Sequence, residues 1–461
     1  MLDKEFFQQK RKIYFTGIGG IGVSALARYF KALGNEVLGS DLVKSSVVED
    51  LQQEGIEVFL KQKSKNISKN IDLLIYSSAV PASNEERQRA KKLKIPQYSY
   101  NDLLAYLSEQ KRTIAISGTN GKTTTTAMTA LMLEKADIDP LALVGSKVPN
   151  WNSNLRFSNG DIFVLEACEY KGHMLGLSPE MIVLTNIVED HLDYYKDIDD
   201  ILEHFQKYID KLPDNGVLIY NADDSNIKCL EWQHHDYKLI SFAIDSDEAD
   251  LTIHKHTISK GVQDFWVYYN GKKLCRIKLY VPGIYNVYNA LATVAVGLAL
   301  GIDPELIKEG LANFKGVWRR FEIIKEVEEI LYISDYAHHP ESVKLSVAAT
   351  REFYPERRVV TVFQPHQHNR TKNLFDDFVK ALSNSDVVII SDIYDVAGRE
   401  EASDQDVSSE DLVKEIAKLN KNVFYGGDLN QTLKVLNEVK KADDVVLLMG
   451  AGSIDDLRYE I

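Results

Sequence analysis

Residues 113–126, Thr-Ile-Ala-Ile-Ser-Gly-Thr-Asn-Gly-Lys-Thr-Thr-Thr-Thr, restrict the possible folds more than any other stretch of the chain. The run 113–116 is short, apolar and β-branched, which suits a buried strand. Gly118 and Gly121 bracket a turn, and Lys122-Thr123-Thr124 opens a segment with helical apolar spacing. Strand, glycine turn and helix with Lys-Thr at its start is how a backbone cradles phosphate. The N–H groups and helix dipole face the anion, the lysine adds a point charge, and the threonine hydroxyl can reach Mg²⁺. The longer phosphate-loop pattern has a further glycine upstream, where Ile116 and Ser117 stand here, so this loop is shortened to Gly118-Thr119-Asn120-Gly121-Lys122-Thr123.

A second glycine motif, Gly17-Ile-Gly19-Gly20-Ile-Gly22, follows the strand-like 12–16 and precedes a predicted helix over 23–33. A strand at 36–39 then leads into Ser40-Asp41. This satisfies the dinucleotide fingerprint and, taken alone, suggests an NAD-dependent oxidoreductase. Its physical content is narrower: a diphosphate at a helix N-terminus and an acid placed for a ribose hydroxyl. A UDP-sugar offers the same groups. A strand ending at Ser78 supplies another carboxyl-end lip of the sheet, and Asn101 is a plausible cap for a helix closing this region.

Beyond the phosphate loop, strand-like 161–166 ends in Glu166-Ala-Cys168-Glu169. Strand-like 181–186 is followed by Ile187-Val-Glu-Asp190-His191. Acids and a histidine at strand ends beside a phosphate loop are what Mg²⁺ bridging phosphates needs. Residues 217–285 read as β-rich, with a hairpin at Asn270-Gly271. His234, His235, His254 and His256 there read as exposed strand polars rather than a metal site. A third βα-alternating region follows, with His338, His339, His366 and His368 close in sequence to Arg320 and Arg370. Roles near phosphate and carboxylate fit these better than zinc.

With 461 residues, the chain has length for several domains. A net charge of −14 argues against nucleic acid or an anionic membrane as a general partner, so anionic substrates must be met by local basic groups. The three cysteines, Cys168, Cys229 and Cys275, are widely spaced and suit a reducing, cytoplasmic setting. The charged N-terminus is unlike a signal peptide, and the longest apolar run, 290–302, is too short to span a bilayer.

In order along the chain stand GIGGIG, GTNGKTTTT, a glutamate-ending strand, TNIVEDHLDYY, NVYNALA, GVWRRFE, DYAHHP and VFQPHQHNRT. Over nearly its whole length this series resembles the Mur ligases of bacterial cell-wall synthesis. The resemblance implies a three-domain α/β architecture: a Rossmann-like UDP-sugar domain (1–110), a central ATPase domain (111–315) and a Rossmann-like C-terminal domain (316–461). It also implies ATP and Mg²⁺ as cofactors, with UDP-N-acetylmuramate and L-alanine as substrates joined through an acyl phosphate. A monomer or homodimer is expected. Ligation of a tripeptide instead of alanine is the alternative.

By resemblance, Gly118 to Thr124 hold ATP together with Asn289, Arg320 and Asp335, and Lys122 contacts the phosphates. Thr123, Glu166 and His191 are implied metal positions. Gly19, Gly20, Ser40, Asp41 and Ser78 match the UDP edge, and Tyr336, His338, His366 and Arg370 match the acyl phosphate and amino-acid positions. Lys122, His191, His338 and Arg370 would act in catalysis. Four departures stand out: Asn120 replaces a usual histidine, Cys168 interrupts an acid-rich run, Ile284-Tyr285 replaces Arg-His, and Gln367 replaces an arginine able to fork a carboxylate.

Overall fold

The computed structural model describes residues 9–191, 194–232, 236–259, 261–395 and 406–461. His234 and His235 lie outside the described residues. The architecture is α/β throughout, as expected. The first sheet has five parallel strands, β1 (Lys12–Thr16), β2 (Glu36–Ser40), β3 (Glu57–Phe59), β4 (Leu73–Tyr76) and β5 (Gln97–Ser99), ordered β3-β2-β1-β4-β5. Their carboxyl ends therefore form one lip, where open sheets of this kind take ligands.

The central sheet begins with β6 (Arg112–Ser117), β7 (Leu141–Val148), β8 (Ser153–Arg156), β9 (Ile162–Glu166) and β10 (Met181–Leu184). It continues through β11 (Val217–Asn221), β12 (Lys238–Phe242), β13 (Leu251–Ser259), β14 (Val262–Tyr269) and β15 (Lys272–Leu279). The phosphate-loop strand β6 lies between β10 and β9, parallel to both, so all three carboxyl ends meet at one place. At the β14–β15 turn, Asn270 (φ 49°) and Gly271 (φ 71°) take the left-handed conformations that a two-residue hairpin demands.

The third sheet comprises β16 (Glu322–Val327), β17 (Ile330–Asp335), β18 (Arg358–Phe363), β19 (Val387–Ser391), β20 (Val423–Gly427) and β21 (Asp444–Met449). Its order is β16-β17-β21-β18-β19-β20, with only the β16 edge antiparallel.

The chain divides into two compact units. One takes Met1–His254, Val267–Cys275 and Tyr288–Asn313; the other takes Lys255–Trp266, Arg276–Val287 and Phe314–Ile461. Within the first unit, the first and central sheets share one apolar cluster that includes Phe15, Phe30, Phe163 and Tyr208. A buried polar contact accompanies it. The Arg28 guanidinium donates to Asn154 Oδ1 at 2.7 Å, and the Asn154 amide donates to Ser24 Oγ at 3.0 Å and to the Ile21 carbonyl. Asn154 is fully buried on β8, whereas its partners lie on helix Ile21–Ala32 behind the first glycine motif.

Two local features differ from expectation. Helix Tyr100–Gln110 is capped by Ser99, in a reciprocal box with Asp102, and not by Asn101. Asn101 instead donates to Ser78 Oγ at 3.1 Å. Glu86, on the first turn of helix Glu85–Lys92, is fully buried. Its carboxylate accepts from Tyr14 (2.7 Å), Thr16 (2.9 Å), Ser40 (2.6 Å) and Asn66 (2.8 Å). Among the described residues no lysine or arginine pairs with it; the donors and the helix N-terminus compensate the charge instead. No helix of the described residues is long and apolar enough to cross a membrane.

Glu86→Ala strands three hydroxyls and an amide, and we expect it to lower stability by about 3 kcal/mol or more. Glu86→Gln keeps the shape and should recover most of that loss. Thermal unfolding of both variants beside the parent chain checks this.

Candidate active site

At the centre of the first unit, β6 ends at Ser117 and helix Lys122–Lys135 begins four residues beyond Gly118. Gly118 has φ 124°, and a Cβ there would fall 2.2 Å from Thr185 Oγ1. Gly121 has φ 85°, and its Cβ would fall 2.5 Å from Asn289 Oδ1. Only glycine meets both conformation and space at these positions. The intervening residues are tied to the end of β10. Thr119 N–H donates to the Asn186 carbonyl and Asn120 N–H to Asn186 Oδ1, both at 2.9 Å. Asn186 Nδ2 and Thr185 Oγ1 return bonds to the Asn120 carbonyl, at 3.0 and 2.6 Å. Asn120 thus serves the loop through its backbone.

Lys122 Nζ donates to the Gly118 and Thr119 carbonyls at 2.5 and 2.9 Å and lies 2.8 Å from Glu169 Oε2. The first turn of the helix carries no acid, so its N–H groups and Thr123 and Thr124 are arranged for an anion. Asn289, buried on helix Ile284–Ala299, accepts from Thr125 at 3.1 Å and so fixes this helix against its neighbour.

The implied metal positions fall into two contacts. Thr123 Oγ1 donates to Glu166 Oε2 at 2.9 Å, and Glu166 Oε1 accepts from the Gly145 N–H. His191 Nε2 lies 3.7 Å from Glu169 Oε1 and 3.9 Å from Asp190 Oδ2. Ligand atoms of Glu169, Asp190 and His191 all lie within 4.8 Å of one another, the one such group among the described residues. A hydroxyl, carboxylates and one imidazole suit a hard divalent cation such as Mg²⁺. Glu169 and Asp190 are the members outside the implied metal set of Thr123, Glu166 and His191, although both stand in the acidic strand-end runs noted in the sequence. Burial pushes the Cys168 thiol up to about 11, so it is a neutral thiol, not a substitute carboxylate.

At the first sheet, Gly17 and Ile18 N–H donate to the Ser40 carbonyl at 2.8 and 3.0 Å. The Asp41 carboxylate accepts from Gly19 N–H at 2.8 Å and from Leu42 N–H at 2.7 Å. Asp41 therefore shapes the glycine turn as well as standing at its rim. Gly20 is the N-cap of helix Ile21–Ala32, with no side chain capping it. Ser78 is exposed at the end of β4. Ser40 is fully buried, and its hydroxyl belongs to the Glu86 cage beneath the lip.

The second unit gathers Tyr336, His338, His366 and Arg370. The ring centres of Tyr336 and His338 are 5.0 Å apart, and those of His338 and His366 are 5.8 Å apart. Arg370 Nη1 lies 3.2 Å from His366 Nδ1. Arg319 and Arg320 each stand 5.0 Å from the Tyr336 ring centre. Burial, then the charges of Arg370, His366 and Arg320, holds the His338 pKa down at about 4. Its Nδ1 is 2.8 Å from the Tyr336 carbonyl, which selects the Nδ1–H tautomer and leaves Nε2 unprotonated. Asp335 is buried and accepts from Phe321 N–H, Ala337 N–H and Ser346 Oγ at 2.9–3.1 Å, organising the turn that presents Tyr336 and His338. Arg320 is exposed beside it.

Tyr394 and Asp395 brace the same cluster and carried no signal in the sequence. Tyr394 stacks on His366 at 5.8 Å and accepts from Gln367 N–H at 2.8 Å. Asp395 holds His368 Nδ1 at 2.6 Å. Gln367 has φ 67° and supplies its carbonyl to Thr371, so it works through its backbone at the start of helix His368–Asn373.

These features define a class: a multidomain α/β protein with a shortened phosphate loop flanked by carboxylates. Family models match three successive segments: a Mur ligase family catalytic domain at 12–112, a Mur ligase middle domain at 116–297 and a Mur ligase glutamate ligase domain at 319–452. The chain belongs to the Mur ligase family. It is 38% identical over 447 residues, 97% of this chain and 96% of the relative, to a UDP-N-acetylmuramate–L-alanine ligase of Sulfurihydrogenibium sp. (strain YO3AOP1). Among solved structures, the UDP-N-acetylmuramate-alanine ligase MurC of Thermotoga maritima is similar with a TM-score of 0.84 and 29% identity, covering 98% of each chain. A murein peptide ligase from Psychrobacter arcticus shares the fold, with a TM-score of 0.69 at 20% identity, again over 98% of each chain.

The depressed His338 pKa has a stability consequence. The unfolded chain protonates this side chain near pH 6.5, whereas the folded protein does so only near 4. Its contribution is therefore intact above pH 6.5, declines as pH falls towards 4 and changes no further below that. Urea midpoints across pH should show this slope, and His338→Gln should flatten it.

Proposed function

We propose that this protein ligates L-alanine to UDP-N-acetylmuramate at the expense of ATP, through an acyl phosphate. The observation that carries the reading is the phosphate loop, with Lys122 beside Glu169 and Thr123 on Glu166, in a chain whose near-full-length relative bears that ligase name. The three-segment division at 110/111 and 315/316 is part of the same proposal.

A carboxylate is a poor electrophile. Transfer of the γ-phosphoryl to the muramate lactyl carboxylate breaks the β,γ-anhydride, forms an acyl–oxygen–phosphorus bond and releases ADP. The alanine amine, having lost a proton, then attacks the acyl carbon, and inorganic phosphate leaves. Lys122 and the N–H groups of the first turn of its helix hold the phosphates. Thr123, Glu166, Glu169 and His191 would hold Mg²⁺, which neutralises charge between phosphates. Arg370 and His366 offer cationic and hydrogen-bonding partners to the amino-acid carboxylate, and the unprotonated Nε2 of His338 can accept a hydrogen bond that orients its amine. Gly19, Gly20, Asp41 and Ser78 take the UDP portion. The glycine motif lies within a Mur ligase segment, which favours a UDP-sugar over NAD there.

Gln367 supports one second reading, ligation of a tripeptide, because a neutral residue stands at a position where the resemblance expects a carboxylate-binding arginine. Phosphate release with ATP, Mg²⁺, UDP-N-acetylmuramate and one amine at a time separates the two. Release confined to L-alanine and its small analogues is the expected outcome; release with the tripeptide alone would replace the proposal. Lys122→Ala should reduce turnover by about a hundredfold or more while UDP-N-acetylmuramate still binds, as isothermal calorimetry would show.

A further inference from the structure

The substrate in this reading has a nucleotide diphosphate at one end and a reacting carboxylate at the other. The first belongs at the lip of the first sheet and the second at the phosphate loop. A residue between the two lips is placed to handle the carboxylate, and the described residues contain one that neither motif includes. Tyr100 follows β5, the last strand of the first sheet, and opens the helix that leads directly into β6. Its ring lies against the start of helix Ile21–Ala32: a Cβ on Gly22 would fall 2.6 Å from the Tyr100 hydroxyl oxygen and 2.6 Å from Cζ. This contact gives the third glycine of the first motif a reason of its own. On the other side, the carboxylate acting most strongly on the phenol is Glu166, the partner of Thr123.

The neighbouring polar groups leave that hydroxyl available. Ser99 and Asp102 are committed to their capping box, and Asn101 to Ser78. Among the described residues none accepts or donates a hydrogen bond to the Tyr100 hydroxyl. A tyrosine phenol is a neutral hydrogen-bond donor at physiological pH. A neutral donor beside a carboxylate such as Glu166 can approach a second anion without adding charge, and it strengthens its bond as that anion is desolvated.

Resting on the proposed ligation, we infer that the Tyr100 hydroxyl donates a hydrogen bond to the lactyl carboxylate of the nucleotide sugar and holds it towards the phosphate loop. Tyr100→Phe removes only the hydroxyl and keeps the ring against Gly22 and the shared core. The expected result is a loss of about tenfold or more in kcat/KM for UDP-N-acetylmuramate, the scale of one hydrogen bond to a charged group. The KM for ATP and the melting temperature should not move. UDP-N-acetylglucosamine, the same nucleotide sugar without the carboxylate, should bind parent and variant equally. Parent-like kinetics in Tyr100→Phe, or equal loss of affinity for both nucleotide sugars, would overturn the inference while leaving the ligase reading in place. A parent protein that releases no phosphate with any amine, yet binds ATP, would overturn the ligase reading and this inference with it.

Discussion

Holding phosphate on a chain with net charge −14 requires that repulsion be answered locally, and the structure does this mostly with backbone. The helix that opens at Lys122 offers the N–H groups of its first turn, and among the described residues Lys122 is the side-chain cation drawn onto the loop carbonyls. Asn186 and Thr185 at the end of β10 clamp the loop from the side. Because partial charges on a fixed backbone need no counter-ion and cost little reorganisation, an acidic protein can bind an anion this way. The carboxylates around Lys122 are then tolerable, since each already has a donor or a cation: Glu166 has Thr123 and Gly145, and Glu169 has Lys122.

Buried acids elsewhere follow the same rule. Glu86 sits beneath the carboxyl-end lip of the first sheet and Asp335 beneath the turn that carries Tyr336 and His338, and each is satisfied chiefly by neutral donors from several segments. Such carboxylates act as staples, joining strand ends and loops that have no apolar surface to pack.

Much of this was legible in the sequence because glycine and short-range chemistry leave marks there. Gly118, Gly121 and Asn270-Gly271 announce positive φ, and the β-branched runs announce the parallel strands. Partnerships over long separations leave none. Glu169 stands in a legible acidic run, but nothing there tells that it closes on Lys122, and Asp395 closes on His368 across 27 positions with no motif at the carboxylate. The helix cap at Ser99 instead of Asn101 turned on which of two neighbouring cappers had a competing partner, here Ser78. The edge strand β16 is not legible because its apolar and charged residues, Glu-Ile-Ile-Lys-Glu-Val, follow no period-two alternation. Ser40 reads as a rim residue from its place at the carboxyl end of β2, but its hydroxyl turns inward to Glu86.

The buried amide of Asn154 bears on how such proteins can be recombined. It is shared by β8 and by a helix more than a hundred positions earlier, within one continuous core. A segment ending near residue 110 is therefore not a self-sufficient cassette. Grafted into a relative, or expressed alone, it would expose Arg28 and Ser24 without the acceptor and donor that Asn154 supplies. Exchange of nucleotide-sugar specificity between family members should then succeed only when the two halves travel together, so the inherited unit of function is larger than the sheet that carries the glycine motif.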